Sequence, residues 1–241
     1  MFADLVQGIR ELAFPDNCFL CRAFLDSGHC RQLCPSCLQS VKSNIPPFCA
    51  LCSRHLPHYT DDGLCGSCRG QPRHYDRAWG SCQYNEPMSL LLHSFKYGGR
   101  TSLRRTFLEL MTSFIDTYHV PLEQFDAVCP IALHPVRLRE RGFNQSELLS
   151  EGLCRHYGLT HKPHLLVRKQ ATQTQALLDQ KQRWTNLEGA FRINPSEIPG
   201  DKSILLVDDL LTTGATADAA AASLKEAGAA YVGVLTLAIT N

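Results

Sequence analysis

The sequence predicts an α/β protein: a mostly parallel, doubly wound sheet over the C-terminal two-thirds, preceded by a small cysteine-rich domain. Three observations carry this. From residue 126 to 241 short apolar runs alternate with stretches of helical period, the pattern of parallel strands joined by helices. The run 204–207 (Ile-Leu-Leu-Val) is apolar at every position, as a strand buried on both faces requires, and a Thr/Gly loop then leads into an Ala-rich stretch, 217–227, of high helix propensity. Ahead of residue 72 the composition changes, and eight of the 12 cysteines fall there in four C-x2-C pairs.

A chain of 241 residues is long enough for one substantial domain and a small one. The net charge of +1 excludes little, but its distribution is uneven: residues 92–192 carry 14 Lys/Arg against 9 Asp/Glu, and residues 193–241 carry 2 against 6. The middle of the chain is therefore the anion-facing part. No run approaches the roughly 18 apolar residues of a membrane span, so no membrane insertion is expected. The N-terminus has an early Asp4 and no apolar core ahead of a cleavage site, unlike a secretory signal. A reducing, cytoplasmic setting is expected, and in that setting so many cysteines call for metal rather than disulfides.

Taken in order, Phe2, Leu5, Val6, Ile9 and Leu12 recur at helical spacing, which predicts an amphipathic helix over 3–13 that Pro15 stops. The four knuckles follow: Cys18/Cys21, Cys34/Cys37, Cys49/Cys52 and Cys65/Cys68. Twelve residues separate the first from the second and again the third from the fourth, so the unit repeats. Each knuckle places two thiolates on a tight turn, and two knuckles close a four-sulfur shell around Zn2+. Two structural zinc sites are predicted, Cys18/Cys21/Cys34/Cys37 and Cys49/Cys52/Cys65/Cys68, although a crossed pairing uses the same eight residues. Metal replaces the core that a segment so poor in large apolar residues lacks. Contact with single-stranded DNA would draw on Arg22, Arg31, Lys42, Arg54, Arg69 and Arg73 with Phe19, Phe24, Phe48 and Tyr59 as stacking platforms. Against it, charge over residues 1–91 is balanced at 8 to 8. Cys30, Cys82, Cys129 and Cys154 read as small buried hydrophobes. The change in composition after Pro72 divides the chain into 1–72 and 73–241.

Beyond the boundary the pattern predicts a strand over 75–84, a helix over 88–97 ended by Gly98-Gly99, a longer helix over 101–119, and a strand over 126–133. That strand runs into a loop carrying His134, Arg137, Arg139 and Arg141, and a helix follows from Asn144 and Gln145 to Gly158. Residues 165–168 read as a short strand. The polar, Gln-rich stretch 169–186, with Lys181, Arg183 and Trp184, reads as a long functional loop. Residues 187–191 lead back to the sheet, and 231–239 is the last strand.

The chemistry concentrates at 204–216. This loop lies at the carboxyl end of a strand, where α/β sheets bind ligands. Thr212, Thr213 and Thr216 offer hydroxyls, Gly214 lets backbone approach a ligand, and the first turn of the following helix supplies N–H groups, a cradle for one phosphate. Asp208 and Asp209 would repel that phosphate but suit vicinal sugar hydroxyls and a divalent metal. A phosphorylated ribose is the expected ligand. Lys96 has two readings, a phosphate contact or a cap on the last carbonyls of its helix.

Val207-Asp-Asp-Leu-Leu-Thr-Thr-Gly-Ala-Thr216 resembles the phosphoribosyl pyrophosphate (PRPP) motif of type I phosphoribosyltransferases. Phe95-Lys-Tyr-Gly-Gly-Arg100 and His134-Pro-Val-Arg-Leu-Arg-Glu-Arg-Gly-Phe-Asn-Gln145, together with the double zinc ribbon, are similar to the ComF group of competence-associated proteins. The resemblance implies a type I phosphoribosyltransferase fold over the C-terminal two-thirds and a ligand of PRPP with Mg2+. It places Asp208 and Asp209 on the ribose hydroxyls, Leu211, Thr212, Thr213, Gly214, Ala215 and Thr216 on the 5-phosphate, and Leu133, His134, Arg137, Arg139 and Lys96 on the pyrophosphate. It makes 169–186 a lid in which Arg168 and Lys169 reach phosphates. It further implies a role in natural transformation, with single-stranded DNA and competence or DNA-processing proteins as partners. No stretch reads as a pocket for an acceptor base, and three readings stand: ribose transfer from PRPP, non-catalytic handling of single-stranded DNA with the PRPP site as a sensor or phosphate cradle, and a purely structural scaffold.

Overall fold

The computed structural model describes residues 17–25, 32–169, 189–197 and 200–240. The expected helix over 3–13, Cys30, and the lid from residue 170 onward, including Lys181, Arg183 and Trp184, lie outside these.

Among the described residues the main sheet has four strands, β1 (Arg77–Gln83), β2 (Ala127–Pro130), β5 (Ser203–Leu211) and β6 (Tyr231–Ile239), in the order β1-β6-β5-β2. All three pairings are parallel, so the carboxyl ends of β2 and β5 open on the same edge. Helices α3 (Arg104–Tyr118) and α5 (Gln145–Tyr157) cover one face, where Leu205, Val207, Leu235 and Leu237 meet Phe107, Met111, Leu149 and Leu153. Helix α6 (Ala215–Glu226) covers the other, where Ile204, Leu206, Val232 and Val234 meet Ala217, Ala220, Ala221 and Leu224. Burial on both faces explains why 204–207 is apolar throughout. At Gly233 a Cβ would collide with the Phe125 ring, so only glycine lets that ring sit on the sheet.

Helix α2 (Glu86–Tyr97) follows β1. The Asn85 side chain caps it by accepting from the Met88 N–H at 3.2 Å, and its buried face is Met88, Leu91, Leu92 and Phe95, the spacing of one helical stripe. The expected helix over 101–119 is a 3-10 turn, Thr101–Leu103, leading into α3, which His119 ends in the left-handed region.

Three expectations are corrected. The strand over 126–133 stops at Pro130. The basic stretch after it is not a loop but a short helix, α4 (Pro135–Arg141). His134 caps α4 with its ring nitrogen accepting from the Val136 N–H, Pro135 occupies the first turn where no N–H is needed, and Gly142 at φ 81° ends it. Finally, β3 (Leu166–Arg168) and β4 (Phe191–Ile193) do not join the main sheet; they pair antiparallel as a separate ribbon packed over α6.

Among its described residues the cysteine-rich segment contains one short helix, α1 (Pro35–Ser40), and it lies along β1. Backbone bonds run from Asn44 N–H to the Ser81 carbonyl, from Gln83 N–H to Lys42, and from Ala78 N–H to Leu51, at 2.7–2.9 Å. Asn44, fully buried, donates its side-chain amide to the carbonyls of Ser53 and Gly80. These contacts satisfy the otherwise open edge of β1. Among the described residues no helix is long and apolar enough to cross a membrane.

Candidate functional site

A cavity of about 310 Å3 opens where β2 and β5 end. Strand β5 supplies Asp208–Leu211, the segment after it Thr212 and Gly214, and the start of α6 Ala215, Thr216 and Ala217. The segment after β2 supplies Leu133 and His134, α4 supplies Arg137 and Arg141, α5 supplies Gln145, α2 supplies Lys96 and Tyr97, and β3 supplies Arg168.

The strand bearing the motif is longer than its apolar run suggests. Pairing with β6 continues past Val207 through Asp208↔Thr236 and Leu210↔Ala238 to Leu211↔Ile239, so both carboxylates stand within the sheet. Asp208 Oδ1 accepts from Ser146 Oγ at 2.8 Å and from the Asp209 N–H at 2.9 Å. Asp209 accepts from Gln145 Nε2 at 3.3 Å and forms an ion pair with Lys96. Burial and the neighbouring Asp209 charge push the Asp208 carboxyl up to about 7. Burial works against the Lys96 charge, but Asp209 outweighs it and holds the ammonium above its usual range. Lys96 is thus neither a helix cap nor an isolated cation; it neutralises one of two carboxylates that would otherwise repel an anion next door.

Gly214 sits at the N-cap of α6 at φ 83°, a conformation other residues adopt only with strain. No side chain caps α6 at Gly214, while Thr213 Oγ1 accepts from the Ala215 N–H at 3.3 Å. The first-turn N–H groups of a helix have no intrahelical acceptor and suit an anion.

Most of the anticipated residues meet in this cavity: Asp208, Asp209, Leu211, Thr212, Gly214, Ala215, Thr216, Leu133, His134, Arg137, Lys96 and Arg168. Thr213 acts on the backbone of the loop and does not line the cavity. Arg139 and Lys169 do not line it either. The helical geometry of α4 explains the first: Arg137 and Arg141 are four apart and share a face, while Arg139 lies on the far side, exposed. Arg141 lines the cavity where Arg139 does not, with its guanidinium 5.0 Å over the Tyr97 ring and bonded to Gln145 Oε1. Lys169 instead ties the ribbon, its N–H donating to the Ala190 carbonyl at 2.8 Å. Sequence reasoning missed Ser146, whose signal was its place one residue after Gln145 at the start of α5.

The eight knuckle cysteines form two clusters, Cys18/Cys21/Cys34/Cys37 and Cys49/Cys52/Cys65/Cys68, with the sulfurs of each within 4.8 Å of one another. The crossed pairing is thereby excluded. Sulfurs 2.3 Å from a tetrahedral ion lie about 3.8 Å apart, and the Cys21–Cys34 and Cys52–Cys65 pairs are 3.6 Å apart, so the donor set fits Zn2+. The thiols perturb one another: hydrogen bonding from Cys52 and Cys68 holds Cys49 far below the thiol range, and Cys49 and Cys52 drive Cys68 up. Cys82, Cys129 and Cys154 are buried single thiols, raised by burial to about 12, 12 and 11.

Comparison with known proteins agrees with this layout. The double zinc ribbon domain family matches residues 9–69, and the phosphoribosyl transferase domain family matches residues 159–241. Competence protein F of Haemophilus influenzae is 31% identical over 231 residues, covering 93% of this chain and 97% of that protein. DNA utilization protein YhgH of Escherichia coli K12 is 32% identical over 238 residues, covering 95% and 99%. Competence protein ComFC of Bacillus subtilis is 31% identical over 217 residues, covering 86% and 83%. With a relative this similar spanning nearly the whole chain, and with a zinc ribbon and a phosphoribosyltransferase domain in the same order, the protein belongs to the ComF family.

Proposed function

We propose that the cavity binds PRPP with Mg2+ and serves transfer of the phosphoribosyl group, in a cytosolic protein that takes part in handling incoming single-stranded DNA. The observation that carries the reading is the meeting of two unlike anion elements around one carboxylate pair. Residues 212–216 offer a helix-N-terminal cradle for a 5-phosphate, Arg137 and Arg141 line the same cavity from α4, and Asp208 and Asp209 line it with them. That combination of groups suits a molecule carrying a phosphate, a pyrophosphate and vicinal hydroxyls.

In this reading Asp208 and Asp209 accept from the ribose 2- and 3-hydroxyls, and the carboxylates of that pair are also the hard oxygen donors that Mg2+ takes. Leu133, His134, Arg137 and Arg141 receive the departing pyrophosphate, whose growing charge the arginines stabilise as the C1–O bond breaks. Arg168 closes the cavity from the ribbon. The domain boundary falls near residues 70–75, with the zinc ribbons ahead of it. The names of the relatives, competence protein and DNA utilization protein, support the DNA link, and competence or DNA-processing proteins are the partners it implies. A second reading, a DNA-handling factor that senses PRPP without using it, is favoured by the same names.

Isothermal titration with PRPP and Mg2+ tests the site: micromolar binding by the wild type, lost in Asp208→Asn/Asp209→Asn, is expected, and equal binding by that variant would remove the carboxylates from it. Release of pyrophosphate on adding single-stranded DNA or nucleobases separates transfer from sensing. Absence of DNA binding at low salt would dismiss the DNA role.

A further inference from the structure

The second cysteine cluster is joined to the phosphate loop by one side chain. Arg54 lies two residues past Cys52 and is 8% exposed. Its three nitrogens point in three directions: Nε donates to the Thr240 carbonyl at 2.8 Å, Nη2 donates to the Thr212 carbonyl, and Nη1 lies 3.7 Å from Cys52 Sγ. Thr212 opens the phosphate cradle and lines the cavity, so one guanidinium touches a knuckle sulfur and the backbone of the ligand loop together. The segment that leaves the cluster supports the same loop. Tyr75 is 2% exposed, with its hydroxyl 3.2 Å from where a Cβ on Gly214 would stand. His74 donates its N–H to Asp218 Oδ1 at 2.6 Å, and its ring Nδ1 lies 2.9 Å from Asp218 Oδ2, in the first turn of α6. The first cluster is placed differently, since Leu25, Leu33 and Val41 around it pack into the core beneath α2 and α3.

We infer that Arg54 is a positioning residue that couples the second zinc centre to the phosphate loop, so that metal in Cys49/Cys52/Cys65/Cys68 and a phosphoribosyl ligand at residues 212–216 stabilise each other. The inference rests on the PRPP reading of the cavity. Its physical basis is charge and geometry. Four thiolates around a divalent ion keep a net negative charge, which attracts a guanidinium and holds it where its planar fork reaches two carbonyls. The carbonyl of Thr212 then faces Arg54, and the loop is held open for its ligand. Coupling between two sites is reciprocal, so whatever zinc does for ligand affinity the ligand does for zinc retention.

The test uses the full chain with both zinc ions bound. Zinc release to a colorimetric chelator is followed with and without PRPP–Mg2+, and ligand affinity is measured by titration. One of the two ions is expected to leave about tenfold more slowly with ligand present, and the ion remaining in Cys21→Ser/Cys34→Ser should be the protected one. Arg54→Ala is expected to bind PRPP–Mg2+ about tenfold more weakly and to show no ligand-dependent slowing. Arg54→Lys keeps the charge without the fork, so it should retain zinc without recovering affinity. Wild-type protein that binds PRPP while both ions leave at unchanged rates overturns the coupling and leaves the ligand reading intact. An Arg54→Ala protein that binds PRPP as tightly as wild type overturns it too. Wild-type protein that binds no PRPP removes the ligand reading and the coupling together. If Arg54→Ala does not fold, the wild-type release rates decide alone.

Discussion

The two cysteine clusters are built on the same spacing, yet they occupy unlike surroundings. In the first, only Cys18 is buried, Cys21 is exposed, and Cys34 and Cys37 are half-buried; in the second, Cys49, Cys52 and Cys68 are all buried. The first closes a loop over the helical side of the core. The second lies between the edge strand β1 and the segment after β5, where Arg54 meets Thr212 and Tyr75 meets Gly214. A repeated metal-binding unit thus does two jobs according to what it is packed against. The first is a local clasp, and the second backs the segment after β5 through the Arg54 bond to the Thr212 carbonyl.

The largest effect expected from this contrast comes from losing a ligand of the second cluster. Cys68→Ser should lower stability by about 4 kcal/mol or more, because metal loss removes the local core and loosens the cover of β1. For a chain of this length that is a fall in Tm of about 10 °C. Cys21→Ser, at an exposed ligand, should also release one zinc but lower Tm by clearly less. Zinc content and thermal melts of the two variants side by side check this, and equal losses would erase the distinction.

Next in size is a lesion in the cavity that bypasses both ribbons. Asp209→Asn leaves the Lys96 ammonium, 19% exposed, without its partner, and breaking a pair this buried costs about 3–5 kcal/mol. Both zinc ions should remain. Lys96→Met instead leaves Asp209 uncompensated beside an anion site, so PRPP–Mg2+ binding should weaken even where the fold survives. Denaturant melts give the first effect and titration the second. If either variant loses zinc, the cavity and the clusters are tied more widely than through Arg54.

The contrast between the clusters was not legible in the sequence, and the reason is physical. Spacing specifies what neighbouring residues can do together, so the four knuckles and the strand-loop-helix around Asp208 and Asp209 could be read directly. The pairing of consecutive knuckles into two tetrads was also read from the spacing, and the structure excludes the crossed alternative. Periodicity could have done more than it did at 134–145. Reading that stretch as a loop gave no geometric ground for choosing among Arg137, Arg139 and Arg141, and the resemblance picked Arg137 and Arg139, whereas in the helix that Pro135 and Gly142 delimit Arg137 and Arg141 line the cavity and Arg139 does not. Contacts between distant segments left no local mark. Lys96 meets Asp209, and Arg54 meets Thr212 158 residues later. Propensity is silent on both, because each depends on where the sheet brings its edges.

A smaller prediction concerns the joint between the two ribbons. Asn44 bridges the carbonyls of Ser53 and Gly80 from a fully buried position. Asn44→Ala leaves those acceptors unsatisfied at about 1–3 kcal/mol. If the second ribbon supports the Thr212 loop from behind, the substitution should weaken PRPP–Mg2+ binding as well as stability. A loss of stability with unchanged affinity would confine the coupling to Arg54.

The smallest effect is in pH, and it separates the cavity from both clusters. Asp208 must be ionised to accept from a ribose hydroxyl or hold a divalent ion, and burial beside Asp209 has raised its carboxyl to about 7. The sign follows: below that value the proton must be lost on binding and affinity falls, while above it affinity levels off. Between pH 6 and pH 8 the ionised fraction rises from about a tenth to about nine-tenths, an affinity gain of roughly tenfold, or about 1.4 kcal/mol. Titrating PRPP–Mg2+ across that range in wild type and Asp208→Asn distinguishes this carboxyl from the ionisation of the ligand's own phosphates, which both proteins share. A variant lacking the first zinc should keep the wild-type slope, since Cys21 and Cys34 lie outside the cavity. A slope that vanished with the first zinc would place that cluster in the site after all.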